Sequence, residues 1–264
     1  MASRFLHLIF GYEWVEQKIN FRSENPDEWM HNGDDAWNAV HPVTNDVRRV
    51  AHSHRVIRLA NALFTLLFNH ADGFDVLRER FRTRKMRSCF VESEVASMLS
   101  CKGFQIKIIK ESGRRGEDFD ILAIANETEI SVEVTSKIEA KLTENTIRNT
   151  LHAKRSQVSK DRPAVLYLHV PPDWMRDRPV FTEAITNFVR RSRRFNAFVV
   201  IWEEVLPFLD GGFPTVQMRV CSSHVARHPL YWAEDWAPAT DRHGGMKMAE
   251  PFLEHLEAYR SRQA

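Results

Sequence analysis

Hydrophobic residues repeat with a helical period in the first third of the chain. Over residues 45–69 apolar side chains recur three or four positions apart, which predicts a long helix. Gly73 interrupts this pattern, and residues 74–87 indicate a second, basic helix. Residues 89–102 predict a third helix, and Gly103 follows it in the position where glycine commonly ends a helix.

The pattern then changes to the alternation of β-strands. Strands are expected over residues 104–108, 119–125, 129–135, 164–168, 197–202 and 215–221, and helices over 144–160, 182–194 and 250–260. Strands and helices in this order predict an α/β fold, a mixed sheet with helices packed against it. We interpret residues 1–86 as a mainly helical extension and residues 87–264 as the core with its C-terminal extension.

Composition excludes several classes of protein. The 264 residues are 43% hydrophobic and include 17 Phe and 7 Trp, which is inconsistent with a disordered chain. No apolar run approaches 18 residues, so no membrane span is expected, and the acidic Glu13 and Glu16 argue against a signal peptide. Three cysteines without CxxC spacing indicate neither a disulfide framework nor a zinc finger, so a cytoplasmic location is expected.

Charge is nearly balanced over the whole chain, at +2, but it is not evenly distributed. Residues 45–87 hold 10 basic and 4 acidic side chains, and residues 176–194 hold 6 and 2. Between them, residues 88–136 hold 9 acidic and 5 basic side chains. An acidic segment among basic ones suits a metal site that faces a phosphate backbone, although solvated helix faces give the same pattern.

Candidate chemistry is concentrated between residues 90 and 137. Glu133 interrupts a strand that is otherwise apolar or β-branched, and Thr135 and Lys137 share its face because strand side chains alternate. Asp118 and Asp120 precede the neighbouring strand, and pairing of the two strands can bring an aspartate close to Glu133. Converging carboxylates beside a lysine can hold Mg²⁺ or Mn²⁺, whereas the two aspartates alone are also common turn residues.

These residues resemble the PD-(D/E)XK nuclease superfamily, which includes type II restriction enzymes and Holliday-junction resolvases. The superfamily places an aspartate at the start of the second strand and Glu-x-Lys on the third, and Asp120 lies 13 positions before Glu133. Its first helix often carries a glutamate, which Glu92 or Glu94 matches. The resemblance covers about a third of the chain and implies a restriction-endonuclease-like mixed sheet flanked by helices.

One position departs from the superfamily motif. Thr135 stands where the lysine is expected, and Lys137 lies two residues further on, shifted by roughly 6.7 Å along the strand. The helix after the third strand often brings a polar residue to the site in this superfamily, and Lys154 or Gln157 matches that position.

The resemblance implies a metal-dependent nuclease that hydrolyses phosphodiester bonds in DNA. Asp120 and Glu133 would bind Mg²⁺ or Mn²⁺, with Asp118 and Glu92 as further candidates, and Lys137 would position the attacking water. The basic helices within 45–87 and 176–194 would follow the phosphates, and many such enzymes act as homodimers. The alternative is a catalytically inactive protein that binds nucleic acid or a protein partner, which Thr135 supports; basic helices that meet an acidic protein are a third reading.

Overall fold

The computed structural model describes residues 2–20, 45–114, 116–137, 143–171, 174, 178–208, 211–223 and 225–228. Its helices are α1 (Ala2–Phe10), α2 (Tyr12–Val15), α3 (Asn45–Phe68), α4 (Phe74–Thr83), α5 (Met86–Cys101), α6 (Glu144–Gln157) and α7 (Arg178–Arg191), with a π-helical turn at Glu16–Asn20. Its strands are β1 (Gln105–Ile108), β2 (Ile121–Ala125), β3 (Thr128–Ser136), β4 (Ala164–His169), β5 (Phe195–Phe208) and β6 (Gly211–Ser222). None of the helices in these ranges is both long and apolar enough to cross a membrane.

The six strands form one mixed sheet in the order β1-β2-β3-β4-β5-β6. Strands β1, β2 and β3 pair antiparallel, β3, β4 and β5 pair parallel, and β6 returns antiparallel to β5. A two-residue turn joins β2 to β3 at Asn126 and Glu127, which both have positive φ, as this hairpin turn requires. The parallel strands are connected through α6 and α7, since parallel neighbours need a crossover.

Helices cover both faces of the sheet. Val132, Val165 and Val199 point to one face, where they pack in a single buried cluster with residues of α1, α3, α4 and α5. Leu166 and Phe198 point to the other face, which α6 and α7 cover. The strands are therefore buried on both sides, which explains their nearly continuous apolar sequence.

The predicted α/β class with a mixed sheet flanked by helices is confirmed. Helix α4 ends at Thr83, earlier than predicted, because Arg84 is extended and α5 already begins at Met86. Gly73 precedes α4 with φ 77°, and a Cβ there would lie 2.5 Å from the carbonyl oxygen of Ile108. Glycine thus lets α4 begin directly against β1. The predicted C-terminal helix at 250–260 lies outside the described residues.

Candidate active site

Two carboxylates face each other across the β2–β3 hairpin. The last paired residues at this end are Ile121 and Val132, so Asp120 lies one position beyond them, opposite Glu133. The backbone N–H of Val134 donates to Asp120 Oδ2 at 2.8 Å, which fixes the aspartate against β3. Asp120 and Glu133 are 7% and 1% exposed. The hairpin thus places two acidic side chains on one face of the sheet, as the sequence predicted.

This placement opposes the ionisation of Glu133. Burial raises the pKa of Glu133 well above its ordinary value, and the charge of Asp120 raises it further. Like charges directly opposite each other destabilise a sheet, and a buried carboxylate normally needs a partner for each oxygen. Glu133 Oε2 is buried and has no hydrogen-bond partner among the described residues. The strand therefore holds a carboxylate oxygen that the fold itself leaves unused.

Lys154 on α6 supplies the positive charge beside Glu133. Its Nζ lies 2.5 Å from Glu133 Oε1, and its side chain keeps 22% of its surface exposed. Burial lowers the pKa of Lys154, but Glu133, Asp120 and Glu92 outweigh that effect and leave the pKa above its ordinary value. Lys154 is therefore a charged donor that contacts the carboxylates on one side and solvent on the other.

Arg80 on α4 and Arg84, which directly follows this helix, hold the third carboxylate, Glu92. Arg80 Nη1 donates to Glu92 Oε2 at 2.8 Å and lies 3.7 Å from Asp120 Oδ1. Arg80 Nη2 donates to the carbonyl oxygen of Ile109, and Arg84 Nη1 lies 3.5 Å from Glu92 Oε1. Burial, followed by the charge of Asp120, raises the pKa of Glu92 to about 7. We call Arg80, Arg84, Glu92, Asp120, Glu133 and Lys154 the carboxylate site.

The two glutamates that the sequence could not separate point to different places. Glu92 and Glu94 are two positions apart on α5, so their side chains diverge by about 200°. Glu94 accepts from Arg58 Nε and Nη2 at 2.6 and 2.7 Å. Arg58 Nη1 also donates to Glu203 on β5 at 2.7 Å, and Arg55 Nη2 donates to Glu203 at 2.8 Å. We call Arg55, Arg58, Glu94 and Glu203 the arginine cluster.

Among the described residues the lysine that contacts Glu133 is Lys154 and not Lys137, and the role of Lys137 in positioning the attacking water stays a prediction. Lys137 follows the end of β3, and its N–H donates to the carbonyl oxygen of His169. Four residues of extended strand separate the Cα atoms of Glu133 and Lys137 by about 13 Å. Thr135 is half-buried two residues after Glu133, and the contact with Glu133 is made by Lys154, one of the two polar residues that the resemblance indicated on the helix after the third strand.

Asp118 also lies apart from the other carboxylates. Its Oδ1 accepts from the N–H of Ser112 and of Gly113 and from the Ser112 hydroxyl, at 2.8 to 3.1 Å. These hydrogen bonds lower the pKa of Asp118 and fix the loop before β2. These contacts favour the turn role, which the sequence had offered as the alternative, and the role of Asp118 as a metal ligand stays a prediction.

Gln157 remains close to Lys154 along α6. It lies three residues further on, and its Oε1 is buried without a hydrogen-bond partner in the described part of the chain.

The donor set of the site suits a small hard cation. The described residues contain no group of three or more His, Cys, Asp or Glu side chains that could hold a metal ion alone. Magnesium needs only one or two protein carboxylates, because water and substrate phosphate fill its other positions. Asp120 and the unused Oε2 of Glu133 provide such a pair, so the residues fit Mg²⁺ or Mn²⁺.

Sequence reasoning did not identify Arg80. This arginine lies three positions after Leu77 and directly before Phe81, both of which are buried, so it sits on the apolar side of α4. A charged residue at such a position must find a buried partner. That periodicity was the available signal, although it does not reveal that the partner is Glu92.

No family model, curated protein or solved structure matches this chain.

Proposed function

We propose that this protein is a metal-dependent nuclease that hydrolyses phosphodiester bonds in DNA, with a restriction-endonuclease-like fold of the PD-(D/E)XK type. The observation that supports this most is the pairing of Asp120 with Glu133 across β2 and β3, with Lys154 beside them. Burial and mutual repulsion make this arrangement unfavourable for the fold alone, and a bound cation would relieve both. Strained or under-satisfied polar groups of this kind concentrate at functional sites.

Asp120 and Glu133 are the residues that would hold Mg²⁺ or Mn²⁺. A divalent ion bound there would lower the pKa of a coordinated water and offset the negative charge on the scissile phosphate. Lys154 Nζ, which is hydrogen-bonded to Glu133 and partly exposed, is placed to orient the attacking water or to stabilise charge on the phosphate. Arg80 lies close to both Glu92 and Asp120 and keeps the two carboxylates in position through its ion pairs.

Fewer basic residues can contact DNA than the charge distribution along the sequence suggested. Arg55 and Arg58 belong to the basic segment 45–87, yet both are buried and bound to glutamates in the arginine cluster. They cannot follow a phosphate backbone without breaking those pairs. Exposed arginines are better placed for that role, such as Arg193 after α7 and Arg82 on α4, whose pair with Glu79 at 3.7 Å is itself solvent-exposed. DNA binding through them should weaken log-linearly with salt concentration.

A second candidate is a catalytically inactive protein that binds nucleic acid through the same fold. The observation in its favour is the charge balance of the site, where Arg80, Arg84 and Lys154 already face the three carboxylates. In that case the ion pairs stabilise the fold, and no cation is needed. Cleavage of DNA separates the two candidates, whereas binding does not.

The test is cleavage of plasmid and linear DNA in Mg²⁺ or Mn²⁺ by the wild type, Asp120→Asn and Asp118→Asn. Asp118→Asn is the matched control because it makes the same change 2 positions away, outside the carboxylate site. The proposal predicts metal-dependent cleavage that Asp120→Asn reduces by at least about a hundredfold and Asp118→Asn preserves. Equal cleavage by all three proteins would indicate a contaminating nuclease. No cleavage with DNA binding intact would favour the inactive protein.

A further inference from the structure

A groove of about 500 Å³ lies between α6 and α7, outside the carboxylate site. Arg155, which follows Lys154 directly on α6, lines this groove. One residue along a helix turns the side-chain direction by about 100°, so the groove lies on the neighbouring side of α6. Its volume falls in the range of pockets that bind small organic molecules, roughly 300–1,000 Å³.

The floor of the groove is apolar and contains an aromatic ring. Ile147 and Leu151 are almost completely buried, and Phe188 is half-buried above them on α7. The Phe188 ring packs edge to face against Phe198, with ring centroids 5.6 Å apart, and against His152 at 5.5 Å. These two contacts hold the aromatic ring in place, and part of its surface remains accessible.

Three arginines, Arg148, Arg155 and Arg191, surround this floor, and none of the described residues that line the groove is acidic. Arg148 donates to Asn145 at 2.9 Å. None of the three pairs with a carboxylate within the ranges that the structure describes. The groove therefore combines an apolar floor with a concentration of positive charge that the described side chains do not neutralise.

We propose that this groove binds a nucleotide, with the base against Phe188 and the phosphate on the arginines. Planar bases stack on aromatic side chains irrespective of their sequence, and guanidinium groups bind phosphate oxygens in pairs. An apolar ligand would leave the arginines unused, and inorganic phosphate would leave the floor unused. The nucleotide is either a free nucleoside monophosphate or a residue of a single strand, which share this chemistry.

This site does not depend on the proposed nuclease activity, and the experiment keeps the two apart. Binding of dAMP and of inorganic phosphate to the full chain is measured by titration calorimetry in EDTA. The proteins are the wild type, the double variant Arg148→Gln/Arg191→Gln, Phe188→Leu and Arg114→Gln. Arg114 is an exposed arginine outside the groove and provides the matched control. Glu133→Gln, which removes the proposed catalytic carboxylate, should bind dAMP as the wild type does.

The proposal predicts that dAMP binds more tightly than phosphate. The double variant should lose at least about tenfold in affinity, since each charge-assisted contact contributes strongly. Phe188→Leu keeps an apolar floor without a ring and should lose about fivefold or more. Arg114→Gln should leave the affinity unchanged. Displacement of dAMP by a 5′-phosphorylated single-stranded oligonucleotide, but not by duplex, would assign the site to a strand, and absence of displacement to a free nucleotide.

Three results would overturn the proposal. The first is no dAMP binding by the wild type at millimolar concentration. The second is equal affinity for dAMP and inorganic phosphate, which would reduce the groove to a simple anion site. The third is binding that the groove variants and Arg114→Gln affect equally. Circular dichroism of each variant checks that a lost affinity is not lost structure.

Discussion

The two buried groups of charge on opposite sides of α5 both combine carboxylates with basic side chains, but their hydrogen bonds are satisfied differently. In the arginine cluster, both oxygens of Glu94 and both oxygens of Glu203 accept hydrogen bonds from guanidinium groups. In the carboxylate site, one oxygen of Glu133 contacts Lys154, and the other has no partner in the described structure. Asp120 faces Glu133 as well, so like charges oppose each other there.

The difference separates charges that hold the fold from charges that are available to a ligand. A buried ion pair with every oxygen satisfied is costly to break, because removing one partner leaves the other uncompensated. A buried carboxylate with an unused oxygen and a raised pKa destabilises the fold, and such a position is typical of an active site. We therefore expect substitutions in the arginine cluster to reduce stability and those in the carboxylate site to reduce activity.

The largest expected effect is on stability, in Glu203→Gln. This change leaves Arg55 and Arg58 buried without their shared carboxylate, and we expect the free energy of unfolding to fall by about 3–5 kcal/mol. Urea unfolding followed by circular dichroism measures it. The control is Glu129→Gln, which breaks a pair with Arg162 in which the glutamate is 50% exposed and should change stability by less than about 1 kcal/mol. Equal losses in the two variants would remove the distinction between buried and exposed pairs.

The next largest expected effect is on DNA cleavage, and it shows whether Lys154 or Lys137 acts in the site. We expect Lys154→Ala to reduce the rate of DNA cleavage by about a hundredfold, because it removes the charged donor beside Glu133. Lys137→Ala should retain nearly all of the activity, since Lys137 lies beyond the end of β3. Single-turnover cleavage rates at saturating Mg²⁺ provide the comparison. A larger loss in Lys137→Ala than in Lys154→Ala would restore the original prediction from the sequence.

The smallest expected effects are on how the free energy of unfolding depends on pH, in opposite directions for His169 and Glu92. Burial, with the charge of Arg87, lowers the pKa of His169 beside the arginine cluster from 6.5 to about 3. Because the pKa of His169 is lower in the folded state than in the unfolded state, the neutral histidine stabilises the fold at pH values above the unfolded-state pKa. That contribution disappears as the pH falls. Relative to His169→Gln, the free energy of unfolding of the wild type should fall by about 2 kcal/mol when the pH is lowered from 7 to 5. The groups around His169 are Arg87, Arg55, Arg58 and Glu203.

Glu92 in the carboxylate site should show the reverse. Its pKa is raised from 4.5 to about 7, so its contribution is present at low pH and disappears as the pH rises through 7. Relative to Glu92→Gln, the free energy of unfolding of the wild type should rise by about 2 kcal/mol when the pH is lowered from 7 to 5. Urea unfolding at both pH values measures the two differences. Slopes of the same sign in both variants would contradict the opposite pKa shifts of His169 and Glu92.

Much of the fold could be predicted from periodicity, because helices and strands with apolar faces have distinct spacings. The alternation in β3 placed Glu133 on one face, and the hairpin at Asn126 and Glu127 placed Asp120 opposite it. These are local relations, since the two carboxylates lie only 13 positions apart and a two-residue turn joins their strands. The position of Asp120 opposite Glu133 could therefore be predicted from the pairing of the two strands.

The positive charges of the site could not be predicted from periodicity, and Lys154 was indicated only by the resemblance, as an alternative to Gln157. Arg80 and Glu92 lie on different helices, and Lys154 is 21 residues from Glu133 with a helix of its own. Periodicity shows which side of a helix is buried, but it does not show which helices meet or at what height. The burial of Arg55 and Arg58 was missed for the same reason, since a basic helix can as well be a solvated one.

The most direct test of the account makes two measurements on one variant, Glu133→Gln. Its rate of metal-dependent DNA cleavage and its free energy of unfolding are compared with those of the wild type. We expect cleavage to fall by at least about a hundredfold while stability stays within about 1 kcal/mol or increases, because the change removes a buried like charge opposite Asp120. Retained cleavage, or a loss of stability as large as that of Glu203→Gln, would contradict the account and make Glu133 a structural residue.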